Sequence, residues 1–451
     1  MAISDRLQRR VDAASLAAFR ILFGALLAFT SLRSLYQGAV SRYFLEPTHF
    51  FKYWGFEWVK PWPGSGMYWH FAFMALCALG ITLGYRYRAS VIGFGLAFAY
   101  AHLIDKTNYL NHYYLVMCVC ALMACLPLAQ LWSVDARRGP RAGADDAPSW
   151  MLWLLRAQFA VVYVFGGVAK LNADWLLRAE PLSTWLGRHA ELPVLGPVLQ
   201  HRVTAYGMSW AGAALDLSIV PLLCLRRTRP FAYAALVVFH LLTARLFSIG
   251  MFPYFMLCGA LLFFEPSWPR TLLTRLGAAP RVTATPGSLR PVPAWAVGFV
   301  ALQLLLPLRH WLYPGDVRWT EQGFRFSWNV MLMEKNGSVD FRVVEPATGR
   351  VFHASPAQYF TPFQTAMMAP QPDMLLDAAQ IVASDYRARG VERPAVYVDA
   401  FAALNGRPMQ RLIDPRVDLA RETDGLWNKS WILPMTPNQP TSVATLAGSS
   451  E

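Results

Sequence analysis

Nine apolar runs recur along the chain, and several reach the ~20 residues needed to cross a bilayer core. They cover 14–34, 67–84, 89–104, 112–131, 151–169, 205–225, 230–246, 249–264 and 293–309. The spacing predicts an α-helical polytopic membrane bundle of about nine spans. The first run lies too far from the start for a removed signal peptide and reads as an anchor helix. Only 15% of the 451 residues are charged, which agrees with that class.

The net charge of +13 would suit a nucleic-acid partner, but its placement argues against one. The basic residues sit in short loops between apolar runs. Arg6, Arg9 and Arg10 precede the first run. Arg86 and Arg88 follow the second, Arg137, Arg138 and Arg141 the fourth, Arg226, Arg227 and Arg229 the sixth, Arg270 and Arg275 the eighth. With the N-terminus inside, these four loops are all inside, as the positive-inside rule requires. Nine spans then leave the C-terminal part outside. The partners this predicts are the lipid bilayer and no nucleic acid.

Past Pro307 the pattern changes. Phe324 to Trp328, Val339 to Val344 and Ala395 to Phe401 alternate like strands, and Asn336-Gly337 and Asn405-Gly406 read as turns. The expectation is a C-terminal external β-rich, sandwich-like domain. The division predicted is 1–310 for the membrane part, 311–436 for the external domain and 437–451 for a flexible tail.

Lys170 ends the fifth run, at Tyr163-Val-Phe-Gly-Gly-Val-Ala-Lys170. The chain has only six lysines among its 41 basic residues. An amine there snorkels to the interface beside Asp174, pairs, or stays neutral and serves as a base. Arg would stay charged. The predicted topology puts Asp105, Asn111, His112, Lys170, His240 and His310 in one leaflet, where they would face a common pocket. Each also has a plainer reading as an interfacial or packed side chain, and Gly166 and Gly167 as close helix contacts. Asp216 is an intramembrane acid, either functional or a partner for an Arg such as Arg245. The six cysteines lie in apolar runs and suggest neither metal binding nor a disulfide framework.

Six strings occur in order: Asp105-Lys-Thr-Asn-Tyr-Leu-Asn-His112, Trp132-Ser-Val-Asp135, Tyr163 through Trp175, Leu246-Phe-Ser-Ile-Gly-Met-Phe252, Phe326-Ser-Trp328, and Ile413-Asp-Pro-Arg-Val-Asp418. On these the chain resembles the vitamin K-dependent gamma-glutamyl carboxylases and, more broadly, the horizontally transferred transmembrane domain family. The resemblance implies a peptidyl-glutamate 4-carboxylase, a lyase coupled to vitamin K epoxidation. Its cofactor would be reduced vitamin K (phylloquinone or menaquinone hydroquinone), with O2 and CO2 as co-substrates and no metal. Lys170 would deprotonate the quinol, oxygen would convert it to a strong base, and that base would remove a Glu γ-proton before CO2 adds. A cofactor is needed because a gap on the order of 15 pK units, ~20 kcal/mol at ~1.4 kcal/mol per unit, separates that proton from any side-chain base.

The same resemblance implies catalytic roles for Lys170 and His112. It implies cofactor contacts from Asn111, His240, His310, Phe247 and Met251, and substrate contacts from Arg325, Ser327, Trp328 and Lys335. Arg325 and Lys335 would hold a substrate carboxylate, or are exposed strand residues. The implied partners are a Glu-containing exported peptide and a quinone reductase, at a bacterial inner membrane with the active site outside. Animal members carry a longer external region and a disulfide; here no Cys follows Cys258, and Met333 stands where a basic residue is familiar. Epoxidation without protein carboxylation, and a non-catalytic membrane maturation or binding factor, are the alternatives.

Overall fold

Each apolar run holds a helix in the computed structural model, which describes residues 7–138, 145–193, 195–247, 249–278 and 291–436. Arg6, Arg141, Ser248 and the tail 437–451 lie outside the described residues. The chain divides into two compact units: Met1–Leu312 with Gly323–Leu332, and Tyr313–Gln322 with Met333–Glu451.

The first unit contains α1 (Ala14–Tyr36), α2 (Gly66–Leu83), α3 (Tyr87–Leu103), α4 (Asn111–Cys125), α5 (Ser149–Ala169), α6 (Arg202–Cys224), α7 (Arg229–Leu246), α8 (Phe252–Ala260) and α9 (Ala294–Leu305). Five are long and apolar enough to cross a membrane: α1, α2, α5, α6, and α9 with its tight turn to Leu312. The others fall short for local reasons. α4 stops at Cys125 because Pro127 follows Leu126, and a residue before proline avoids helical backbone. α8 starts only after Gly250, whose φ of +61° breaks the chain direction. α7 carries Arg229, His240 and Arg245 within its 18 residues.

Buried charges tie the helix ends together. The Arg20 guanidinium on α1 donates to the carbonyls of Ile81 (2.7 Å), Thr82 (2.6 Å), Leu128 (3.2 Å) and Trp132 (2.7 Å). It thereby neutralises the negative end of α2. Asp135 accepts from the backbone N–H of Arg86 (2.9 Å) and Tyr87 (2.8 Å), at the start of α3. The Trp132–Asp135 string is therefore a helix-linking knot. A short sheet of β1 (Arg10–Asp12) and β2 (Asp146–Pro148) is fixed by Arg10–Asp146, and Arg270 pairs with Asp12 (2.8 Å) and Asp145 (2.7 Å). Arg10 and Arg270, read as loop charges, thus bind specific carboxylates, as does Arg229 with Glu265 at 3.7 Å.

The second unit is one antiparallel sheet in the order β4-β3-β5-β6, with β3 Lys335–Val344, β4 Val351–Ala354, β5 Ala395–Leu404 and β6 Gln410–Arg411. α10 (Pro372–Ala388) packs on β5 with an apolar face that includes Leu375, Ala379 and Val382. A sandwich would need a second sheet; among the described residues the second layer is this helix. Asn336-Gly337 is not a turn but part of β3, paired with Ala403 and Ala402. Gly337 is required there by close approach: a Cβ would lie 2.7 Å from the Ala369 carbonyl carbon. Asn405-Gly406 is the expected turn, with φ of +50° and +71°. Phe324–Trp328 is not a strand; Phe326 and Trp328 have positive φ, which ends alternation.

Candidate functional site

Helices α5 to α8 line a partly open cavity with about 70 Å3 of room for the centre of a water-sized sphere. Its walls are mainly apolar, from Val162, Phe239, Phe247, Phe252, Met256 and Met331 among others. Four polar side chains that matter below reach it: Tyr163, Lys170, Asp216 and His240.

Lys170 does not snorkel. The residue is 5% exposed, and its Nζ donates to Asp216 Oδ2 at 2.7 Å and to the Gly166 carbonyl at 3.2 Å. The ammonium also lies 5.2 Å from the centre of the Trp175 ring. That ring is held by α6, since its indole N–H donates to the Ser209 carbonyl at 2.8 Å. Burial of an isolated ammonium is expensive; a net-neutral pair with extra hydrogen bonds is the form in which it is tolerated. Sequence reasoning allowed Lys170 to snorkel beside Asp174 and offered Asp216 an Arg such as Arg245. The structure instead pairs Asp174 with Arg178 at 3.3 Å and Lys170 with Asp216. The pair spans 46 positions of sequence, so no local pattern announces it.

The two glycines before Lys170 divide their work. A Cβ on Gly167 would stand 2.9 Å from Leu217 Cγ, so this glycine lets α5 and α6 touch. A Cβ on Gly166 would meet only Asp216 Oδ2 at 3.6 Å and Lys170 Nζ at 3.9 Å. Gly166 therefore keeps cavity space open beside the ion pair.

At the cavity wall the Tyr163 hydroxyl and His240 Nε2 are 3.0 Å apart. His240 Nδ1 is buried and has no partner among the described residues. A buried imidazole nitrogen without a partner costs about 1–3 kcal/mol unless something fills its valence.

The remaining expected site residues are distributed. Phe247 lines the cavity, and Met251 is buried beside Phe252 at the start of α8. His112 is buried outside the lining; Phe252 lies against both imidazoles, 6.1 Å from His112 and 6.3 Å from His240. Asn111 donates to the Asn329 carbonyl at 3.0 Å and accepts from the Tyr109 hydroxyl at 3.1 Å. Tyr109 in turn accepts from Phe326 N–H at 2.7 Å. These contacts anchor the segment whose Val330 and Met331 form part of the cavity wall. Trp328 is fully buried, its ring 4.8 Å from Tyr114, and Ser327 Oγ donates to the Gly323 carbonyl. The Arg325 carbonyl is held by Arg309 at 2.5 Å. His310 bonds the Pro307 carbonyl at 2.7 Å and is not part of the cavity lining.

In the second unit, Lys335 is buried. It donates to the Trp319 carbonyl at 2.7 Å and to Glu321 at 2.9 Å. Burial pushes its ammonium below the usual lysine range, while Glu321 acts in the opposite sense. In the 413–418 string, Asp414 pairs with Arg416 at 2.8 Å, and Asp418 caps the turn at Ala420 and accepts from Val396 N–H. That string is structural.

Sequence reasoning missed Asp216 as the partner of Lys170, and missed Tyr163 and Trp175. A signal existed: α6 presents Ser209, Gly212, Ala213 and Asp216 at intervals of three and four, a single face of small and polar residues.

Two family models match the chain. One, described as the HTTM domain, matches residues 8–268. The other, described as the lumenal domain of vitamin K-dependent gamma-carboxylase, matches residues 290–438. No solved structure matches.

Proposed function

Since the chain belongs to the HTTM domain family and carries a lumenal domain of the vitamin K-dependent gamma-carboxylase type, we propose that it is a membrane peptidyl-glutamate carboxylase whose base is Lys170. Its substrate would be Glu of an exported peptide, and its cofactor reduced vitamin K. In this reading all nine helices span the membrane, residues 1–310 carry the chemistry, and the cavity and residues 311–436 face the outside.

The cavity's own residues suit a flat aromatic diol. Phe239, Phe247 and Phe252 offer apolar walls, Gly166 leaves room beside the ion pair, and His240 Nδ1 awaits a hydrogen-bond partner. A reduced naphthoquinone held there would supply, with O2, the base strong enough to take a Glu γ-proton so that CO2 can add. Lys170 Nζ removes the hydroxyl proton of the diol. Tyr163 fixes the His240 ring, so that Nδ1 is presented to a diol oxygen. The apolar walls exclude water from the amine. Asn111 holds the Asn329–Met331 wall, and His112 backs Phe252.

The observation that carries this reading is Lys170 turned inward to an apolar cavity, where snorkelling was available at its helix end. Epoxidation without carboxylation is favoured by one observation: Lys335, the expected carboxylate holder, is already committed to Glu321. Purified protein given reduced vitamin K, O2, labelled bicarbonate and a Glu-containing peptide separates the two. Epoxide with fixed label supports carboxylation, epoxide alone supports the second reading, and neither product contradicts both.

A further inference from the structure

Around Lys170 Nζ stand a carboxylate at 2.7 Å, a carbonyl at 3.2 Å and an indole face at 5.2 Å. A base needs a lone pair, so this proton must have a destination. The shortest hydrogen bond leads to Asp216 Oδ2. Both residues are buried, at 5% and 7% exposure. Moving the proton across that bond removes two buried charges at once, which a low-dielectric setting favours. The fold holds the bond in place. Gly167 seats α5 on Leu217, the neighbour of Asp216, and Trp175 is tied to Ser209, two turns earlier on α6.

We infer that Asp216 is the proton acceptor of the site and Lys170 its relay. This rests on the proposed diol chemistry and adds a residue to it. The step balances as follows. Asp216 Oδ2 takes a proton from Lys170 Nζ, giving a carboxylic acid and a neutral amine. The amine then takes the hydroxyl proton of the bound diol and becomes an ammonium again. The site starts as ammonium, carboxylate and neutral diol, with no net charge. It ends as ammonium, carboxylic acid and one negative charge on the ligand oxygen, again with none. Lys170 faces that negative charge as an ammonium, and Asp216 holds the extra proton. Tyr163 and His240 are the other titratable groups lining this cavity.

Infrared difference spectroscopy on the full-length protein in detergent tests this without turnover. Reduced 2-methyl-1,4-naphthohydroquinone is added without oxygen, and its binding is measured by equilibrium dialysis in the same samples. The expected result is a new carboxylic-acid C=O band, sensitive to deuterium exchange, in the wild type. The band persists at a displaced frequency in Asp216→Glu and is lost in Asp216→Asn. Binding without such a band in the wild type overturns the inference, as does an unchanged band in a folded Asp216→Asn. Absence of binding to the wild type sinks instead the proposed function on which it rests. The wild-type spectrum decides the matter even if Asp216→Asn does not fold.

Discussion

Tyr163 on α5 and His240 on α7 meet through a 3.0 Å hydrogen bond at the wall of the cavity that holds Lys170. The bond leaves Nδ1 as the imidazole nitrogen without a partner among the described residues. Tyr163→Phe should weaken naphthohydroquinone binding by roughly 3- to 10-fold, the worth of one hydrogen bond of about 0.5–1.5 kcal/mol. His240→Leu should weaken it at least as much. A titration of either variant that matches the wild type would remove His240 from the ligand site.

Gly166 and Gly167 are adjacent, yet opposite effects are expected of them. Gly167→Ala forces a Cβ to 2.9 Å from Leu217 and should destabilise the protein by about 1–3 kcal/mol. Gly166→Ala meets ordinary contacts and should fold normally. Gly166→Leu should fold but exclude the diol. Thermal unfolding and ligand titration on the three variants give this pattern or refute it.

Lys335 and Glu321 form a buried pair at 2.9 Å. Lys335→Ala removes the ammonium that faces the buried Glu321 carboxylate and should cost the second unit about 3–5 kcal/mol. Lys335→Met with Glu321→Gln should recover most of that loss. If the double variant is stable and still processes peptide, Lys335 is structural; stability unchanged in Lys335→Ala would contradict the buried pair.

Lys52 lies in the loop between α1 and α2 and donates to the carbonyls of Val59 (2.5 Å) and Ile104 (2.9 Å). Burial pushes its ammonium down to about 8, with Asp105 opposing. The unfolded value is near ~10.4. Between these two values the unfolded chain binds more protons, so stability should rise with pH across that window and be flat below it. Partial exposure keeps the rise small. Unfolding midpoints against pH should show it in the wild type and not in Lys52→Met; a fall across the window would contradict the assignment.

The helices were legible because apolar runs of this length have one stable outcome in a bilayer, and their ends follow Pro127 and Gly250. Lys170 and Phe247 were legible as cavity residues through family strings, and His240 through the leaflet in which the predicted topology put it. Asp216 was seen but given the wrong partner, because helix contacts such as Gly167 against Leu217 depend on side-chain fit across 50 positions. The Asn336-Gly337 turn was misread because the same dipeptide also serves a strand that must approach Ala369 closely. Phe324–Trp328 alternates as a strand does, but its backbone follows the contacts of Phe326 and Trp328 with Tyr109 and Tyr114.

The central claim is that Lys170 is the base. Vitamin K epoxide formation by purified Lys170→Ala, with and without an added primary amine, tests it most directly, with naphthohydroquinone binding and thermal stability measured alongside. A folded, ligand-binding variant that makes no epoxide alone and some with amine is the predicted result. Full epoxide formation by Lys170→Ala without amine would contradict it.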